Sequence, residues 1–291
     1  MHQFIGTGVA LVTPFNNDLT VDFEALKKLV NFNIENGINY LVINGTTGES
    51  ATISEEEKLQ IIDVIVKENN NRVPLVLGIG GNNTLNVVKE LKTRNLKSID
   101  GILSVAPYYS KPTQEGFYQH YKAIAEATEK PIILYNVPGR TAKNMEVSTT
   151  LRLAKDFKNI VAVKEAGNNQ QQYNALLKDK PNDFLIISGD DDLALGVALA
   201  GGSGVISVIG QAFPKEFSQM IQLGLEGENK VSYDIHFKMM DIIDLIFEEN
   251  NPAGIKAVLE KLNICNNTVR LPLVKASSEL QVKISDFVDR F

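Results

Sequence analysis

The chain has 291 residues, 44% of them hydrophobic and 22% charged, and a formal net charge of −6. That balance suits a globular protein with a sizeable core and argues against nucleic-acid binding, which normally needs a basic face. The single cysteine, Cys265, rules out an intrachain disulfide and a cysteine metal cluster, and the opening Met1-His2-Gln3-Phe4 carries no signal-peptide pattern. The expectation is a cytoplasmic protein with no membrane segment, since no apolar run approaches spanning length.

In chain order, short apolar runs alternate with longer amphipathic stretches. The first run covers residues 8–12. A helical pattern follows over 23–34, with Phe23, Leu26, Leu29, Val30 and Ile34 on one stripe. The second run is 40–43. After it, Ser54 is a good N-cap for a helix over 54–66, and Glu57 completes a capping box. Further runs lie at 75–79, 101–105, 132–135, 160–164, 184–188 and 204–208. Eight strands alternating with helices predict parallel strands with helical crossovers. The fold class is therefore α/β, a (β/α)8 TIM barrel over residues 1–228. A doubly wound open sheet is the alternative, but no G-x-G-x-x-G follows the first run. From residue 229 the strand signal stops. Helical patterns at 231–248, 252–262 and 277–291 predict a C-terminal three-helix appendage, residues 229–291, packed on the barrel.

A barrel carries its chemistry at the C-terminal ends of its strands. Lys164 closes the apolar run Ile160-Val161-Ala162-Val163. Desolvation among apolar neighbours favours a neutral amine, which can attack a ketone to form a Schiff base. The plainer reading is a lysine that starts a surface loop. Tyr135 ends the preceding strand, where a phenol could shuttle protons for Lys164; taken alone it is as readily barrel packing. Arg140 follows Pro138-Gly139 and has the planar fork to grip a carboxylate, or to make a surface salt bridge. Gly45-Thr46-Thr47-Gly48 offers hydroxyls and backbone N–H groups to a carboxylate, or is an ordinary turn. Tyr108-Tyr109 suits core, subunit contact or proton relay. Asp190-Asp191-Asp192 reads as the acidic start of a helix rather than a metal site. His2, His120 and His236 lack ligand spacing and read as structural or surface residues.

Three motifs in order at strand ends carry a resemblance. Gly45-Thr46-Thr47-Gly48-Glu49-Ser50, Tyr135-Asn136-Val137-Pro138-Gly139-Arg140-Thr141 and Val163-Lys164-Glu165-Ala166 together resemble the dihydrodipicolinate synthase family (4-hydroxy-tetrahydrodipicolinate synthases), part of the N-acetylneuraminate lyase superfamily of Schiff-base barrels. The likeness runs from Gly8-Val9-Ala10-Leu11 through Gly204-Val205-Ile206-Ser207 into the helical tail. It implies condensation of pyruvate with L-aspartate 4-semialdehyde, in diaminopimelate and lysine biosynthesis. In that scheme Lys164 forms the imine with pyruvate and Tyr135 moves protons. Thr46 links Tyr135 to Tyr109, and in the family that second tyrosine comes from a neighbouring subunit. Thr47 holds the pyruvate carboxylate, Arg140 holds the carboxylate of the aldehyde, and Gly189 and Ile206 line the site through their backbones. No cofactor and no metal are implied, since the protonated imine is itself the electron sink. Arg140 favours a small acidic aldehyde over the long polyhydroxy chain of a sialic acid. The alternatives are a sugar-acid aldolase, a non-catalytic 2-oxo-acid-binding barrel, and a phosphate-binding barrel using Gly201-Gly202-Ser203-Gly204.

Two departures concern regulation and assembly. Family members inhibited by lysine carry histidines and a glutamate near a subunit interface. Here Glu55 and Lys58 stand at the histidine positions and Asn86 at the glutamate position, while Ser50, Ala51 and Asn82 are retained. Weak inhibition by L-lysine is the expectation. The polar segment Gly167-Asn168-Asn169-Gln170-Gln171-Gln172 lies where tetrameric members join two dimers, and polar residues bury little apolar area. A homodimer is expected, because Tyr109 needs a neighbour; a homotetramer is left open.

Overall fold

The computed structural model describes residues 2–291. Eight parallel strands close into a barrel in chain order. They are β1 Gly6–Ala10, β2 Tyr40–Ile43, β3 Leu75–Gly78, β4 Gly101–Val105, β5 Ile132–Asn136, β6 Ile160–Glu165, β7 Leu185–Ser188 and β8 Gly204–Ser207. The strands are buried along nearly their whole length, as expected where helices cover one face and the barrel core the other.

Alternation along each strand divides the apolar residues into two cores. Tyr40, Val42, Val76, Leu103, Ile133, Ala162, Ile187 and Ile206 fill the interior with Phe4. Leu41, Ile43, Leu77, Ile132, Leu134 and Val163 face the surrounding helices. Gly8 makes room inside, because a Cβ there would lie 2.2 Å from the Tyr40 ring. Local signals start the helices where the sequence places them. Asp22 accepts from Ala25 N to open the helix Phe23–Glu35, and Ser54 with Glu57 forms a complete capping box for Glu55–Asn69.

The first strand differs from its apolar run. It spans Gly6–Ala10 instead of 8–12. Gly6 and Thr7 have no hydrophobic signal, yet they pair with Gly204 and Val205 of β8. Beyond Ala10 the chain leaves the ladder, and Val12 N–H donates to the buried Gln211 side chain at 2.9 Å.

After the barrel, helices Asn229–Phe247, Ala253–Lys261 and Ser278–Val288 form the C-terminal part. The first packs against helices Pro214–Glu226 and Ala194–Leu199. The chain between these elements returns to the β2 exit: Asn251 Nδ2 donates to Thr47 Oγ1 at 3.0 Å, and Arg270 N–H donates to Glu49 Oε2 at 2.9 Å. The tail thus supplies part of the rim at the C-terminal ends of the strands. Among the described residues, no helix is long and apolar enough to cross a membrane.

Candidate active site

The pairing of β5 with β6 sets the centre of the site. Ile132 pairs with Ile160, but the next pair is Ile133 with Ala162. Val161 is an extra residue, and such a bulge moves everything downstream by one position. Tyr135 therefore stands opposite Lys164, both in phase with the interior residues Ile133 and Ala162. With no bulge, Val163 would stand beside Tyr135, and Lys164 would face the helices. As folded, Lys164 is 5% exposed, with its Nζ 4.4 Å from the centroid of the Tyr135 ring. Gly189 of the next strand exit fits against this lysine. A Cβ there would lie 2.9 Å from Lys164 Cε and 2.6 Å from Ala166 Cβ.

Above Tyr135 opens a cavity of about 500 Å³. Thr46, Tyr135, Val137, Arg140 and Asn251 line one end of it. Lys58, Glu90 and Arg94 line the other, where Glu55 bridges Lys58 and Arg94 at 2.8 Å each. Arg140 sits on the short helix Pro138–Thr141, entered through proline at its first turn. Its one side-chain hydrogen bond among the described residues is a long contact with Asn251 O, 3.5 Å. Thr46 is exposed to the cavity, while Thr47 is buried behind it and fixed by Asn251. Ile206 is wholly buried in β8. Tyr109 stands apart: it is 89% exposed, with φ +69°. That left-handed backbone is unusual for a bulky residue, and within one chain the tyrosine does not line the cavity.

The turn Thr46–Gly48 is anchored from below. Glu49, at φ 55°, ends it. Its carboxylate takes Lys256 Nζ at 2.6 Å, and both side chains are at most 1% exposed. Lys256 also donates to Thr268 O at 2.8 Å and lies 4.2 Å from the Phe15 ring centroid. Burial pulls the ammonium below its ordinary value, and the Glu49 charge opposes that.

On the outer side of the same strand exits, Asn136 Nδ2 donates to both Glu165 oxygens, at 3.0 and 2.9 Å, and Gln172 Nε2 donates to Oε2 at 2.8 Å. Burial nevertheless pushes the Glu165 carboxyl up to about 7. Asp190 is pushed up to about 6, again by burial, with the Asn168 amide and the Lys164 charge acting the other way.

A model of the dihydrodipicolinate synthetase family matches residues 3–290. The chain belongs to that family. Its relatives include the 4-hydroxy-tetrahydrodipicolinate synthase of Flavobacterium psychrophilum, 57% identical over 99% of this chain and 98% of the relative. Among solved structures, the dihydrodipicolinate synthase of Thermotoga maritima is 38% identical, covering 99% of each chain with a TM-score of 0.96. The synthase of Cyanidioschyzon merolae with lysine bound is 34% identical, with a TM-score of 0.95 over 99% of this chain and 98% of that one.

Within this family framework, two readings of the sequence change. Asp190-Asp191-Asp192 does not start a helix: the next one is Ala194–Leu199, with no acidic residue in its first turn. Asp191 instead accepts from the Val208 and Ile209 amides at 3.0 and 2.9 Å, tying the β7 exit to the β8 exit. Gly201-Gly202-Ser203 leads into the start of β8, at the opposite end of the barrel from Lys164, and so does not serve the rim. Asn251 and Lys256 are outside the motifs read from the sequence, while Asn136 and Gln172 belong to quoted segments whose contact with Glu165 the sequence does not reveal. Lys256 had a signal, as the one charge inside the run Ala253-Gly254-Ile255-Lys256-Ala257-Val258-Leu259.

Proposed function

We propose that this chain is a Schiff-base lyase that condenses pyruvate with L-aspartate 4-semialdehyde to give 4-hydroxy-tetrahydrodipicolinate. The observation that carries the reading is Lys164, buried inside the barrel against Tyr135, which itself lines a cavity with Arg140 on its wall. The lysine amine attacks the pyruvate C2 carbonyl, and water leaves to give the iminium. Tyr135 relays the protons of this step. The iminium then draws electrons from the C3 methyl, which loses a proton to become an enamine. That enamine attacks the aldehyde carbon and forms the new C–C bond. The amine of the bound aldehyde attacks the imine carbon, closes the ring and frees Lys164.

Thr47 and the amides of its turn hold the pyruvate carboxylate, and the Glu49–Lys256 anchor keeps that turn in place. Arg140 takes the aldehyde's carboxylate. Thr46 passes protons between Tyr135 and Tyr109 of a second copy, and the exposure and backbone conformation of Tyr109 support that assignment. The working unit is thus at least a dimer. Gly189 leaves the Lys164 side chain its space, and Ile206 closes the barrel beneath.

Borohydride reduction in the presence of pyruvate, followed by peptide mass mapping, tests the centre of this scheme. The expected product is a reduced pyruvate adduct on Lys164; an unmodified Lys164 would refute it. Parallel assays with L-aspartate 4-semialdehyde and sialic acid separate the reading from a sugar-acid aldolase.

A further inference from the structure

Asn136 and Glu165 follow Tyr135 and Lys164 along β5 and β6 and pair with each other across the seam. Their side chains therefore point away from the barrel interior, and both are wholly buried. Two half-buried residues close the group: Asn144, just after the short helix that carries Arg140, and Gln172 in the helix Gln170–Asp179. Asn136 Nδ2 donates to Asn144 Oδ1 at 2.7 Å as well as to Glu165, and Asn136 Oδ1 accepts the Met145 N–H at 3.0 Å. Asn144 Nδ2 donates to Gln172 Oε1 at 2.8 Å, and Gln172 Nε2 donates back to Asn144 Oδ1 at 3.2 Å. None of these four side chains leaves a buried polar atom without a partner.

The segment clasped between Asn136 and Asn144 is the one that carries Arg140. Its guanidinium makes only the long contact with Asn251 O among the described residues, so the backbone beneath it sets where it points. That backbone is closed locally. Thr141 Oγ1 lies 3.2 Å from Val137 O and 3.0 Å from Lys143 O, and Ala142 turns the chain at φ 58°. Gly167 lets the network approach the same helix, because a Cβ there would lie 2.6 Å from Glu165 Oε1 and 3.7 Å from Pro138 Cδ. Burying polar side chains adds little net stability over apolar packing, but a fully satisfied network fixes one geometry. We propose that Asn136, Asn144, Glu165 and Gln172 are positioning residues for Arg140: they latch the 136–144 segment to the β5–β6 seam and so aim the guanidinium at the aldehyde's carboxylate. None of the four lines the cavity, so they act through Arg140. The proposal rests on the Schiff-base reading and on the place of Arg140 within it, and adds residues to both.

The test uses the full chain with Asn144→Ala, alone and combined with Arg140→Met. Gln114 Nε2 still holds the Asn144 carbonyl at 3.0 Å, so Asn144→Ala loosens the segment without releasing it. The kcat/KM for L-aspartate 4-semialdehyde should fall about tenfold, while borohydride traps pyruvate on Lys164 as in the wild type. In the Arg140→Met background the same substitution should cost less than about twofold more, since no guanidinium is left to aim. A tenfold loss in both backgrounds would show a general structural role and overturn the proposal, and so would an Asn144→Ala enzyme of unchanged kcat/KM. Should Asn144→Ala not fold, Gln172→Ala carries the same comparison from the other side of the network. Wild-type protein without an adduct at Lys164 removes the Schiff-base reading itself, and an Arg140→Met enzyme of unchanged kcat/KM removes the Arg140 assignment. A wild-type adduct and an impaired Arg140→Met enzyme, with Asn144→Ala silent or additive, remove this inference alone.

Discussion

Replacing Lys256 with methionine separates the scaffold of the site from its chemistry. The two side chains have nearly equal length, so the substitution leaves no large void. What it removes is the ion pair with Glu49 at 2.6 Å and the bond to Thr268 O at 2.8 Å. Glu49 is then left charged in the core with the Arg270 amide as its remaining partner. Breaking a buried pair by removing one member costs about 3–5 kcal/mol. The surviving amide bond places this case near the lower end, about 3 kcal/mol. Because Glu49 ends the Thr46–Gly48 turn, the KM for pyruvate should also rise, by about tenfold if the turn shifts by a fraction of an ångström. Urea unfolding measures the first effect and steady-state kinetics the second. The companion Glu49→Gln/Lys256→Met should recover most of the lost stability, because no uncompensated charge remains. A single variant destabilised by less than about 1 kcal/mol, or a double variant less stable than the single, would refute the reasoning.

Glu165 gives a prediction with a definite sign. Its folded value, about 7, lies above the ordinary carboxylate value, so the folded state holds a proton that the unfolded chain has lost. Its contribution is full below the ordinary value and disappears as pH rises through 7. The total is on the order of 3 kcal/mol, and Glu165→Gln should flatten the fall in urea midpoint between about pH 5 and about pH 8. Arg140→Met should leave pyruvate trapping intact while kcat/KM for the aldehyde drops about 100-fold; an equal loss with both substrates would argue against its assignment. L-lysine should inhibit poorly, since Lys58 brings a cation where lysine-inhibited members have a histidine. Strong inhibition at micromolar lysine in a standard coupled assay would contradict this. Sedimentation alongside activity should show a dimer as the smallest active species, and a fully active monomer would refute a shared Tyr109.

The architecture was legible in the sequence, and so was the position of the candidate site residues at the strand ends. The alternation of apolar runs with amphipathic stretches specifies a barrel, because buried parallel strands are apolar throughout and their crossovers are not. The Ser54 capping box is equally local, and it appears as read. Once the strands were located, Lys164, Tyr135 and Arg140 fell at their exits.

Tertiary structure decided the orientations and the long-range partners. Pairing energy, not hydrophobicity, placed β1 at Gly6–Ala10. The Val161 bulge, which turns Lys164 to the inside, depends on β5 and carries no mark in the residues themselves. Asp191 changed from an expected helix cap to a tie between strand exits because acceptors go to whichever buried amides lack partners. Lys256 meets Glu49 across 207 positions of chain, and Asn251 meets Thr47 across 204. Period and propensity describe neighbours along the chain; which buried charge faces which is settled only when the chain closes on itself.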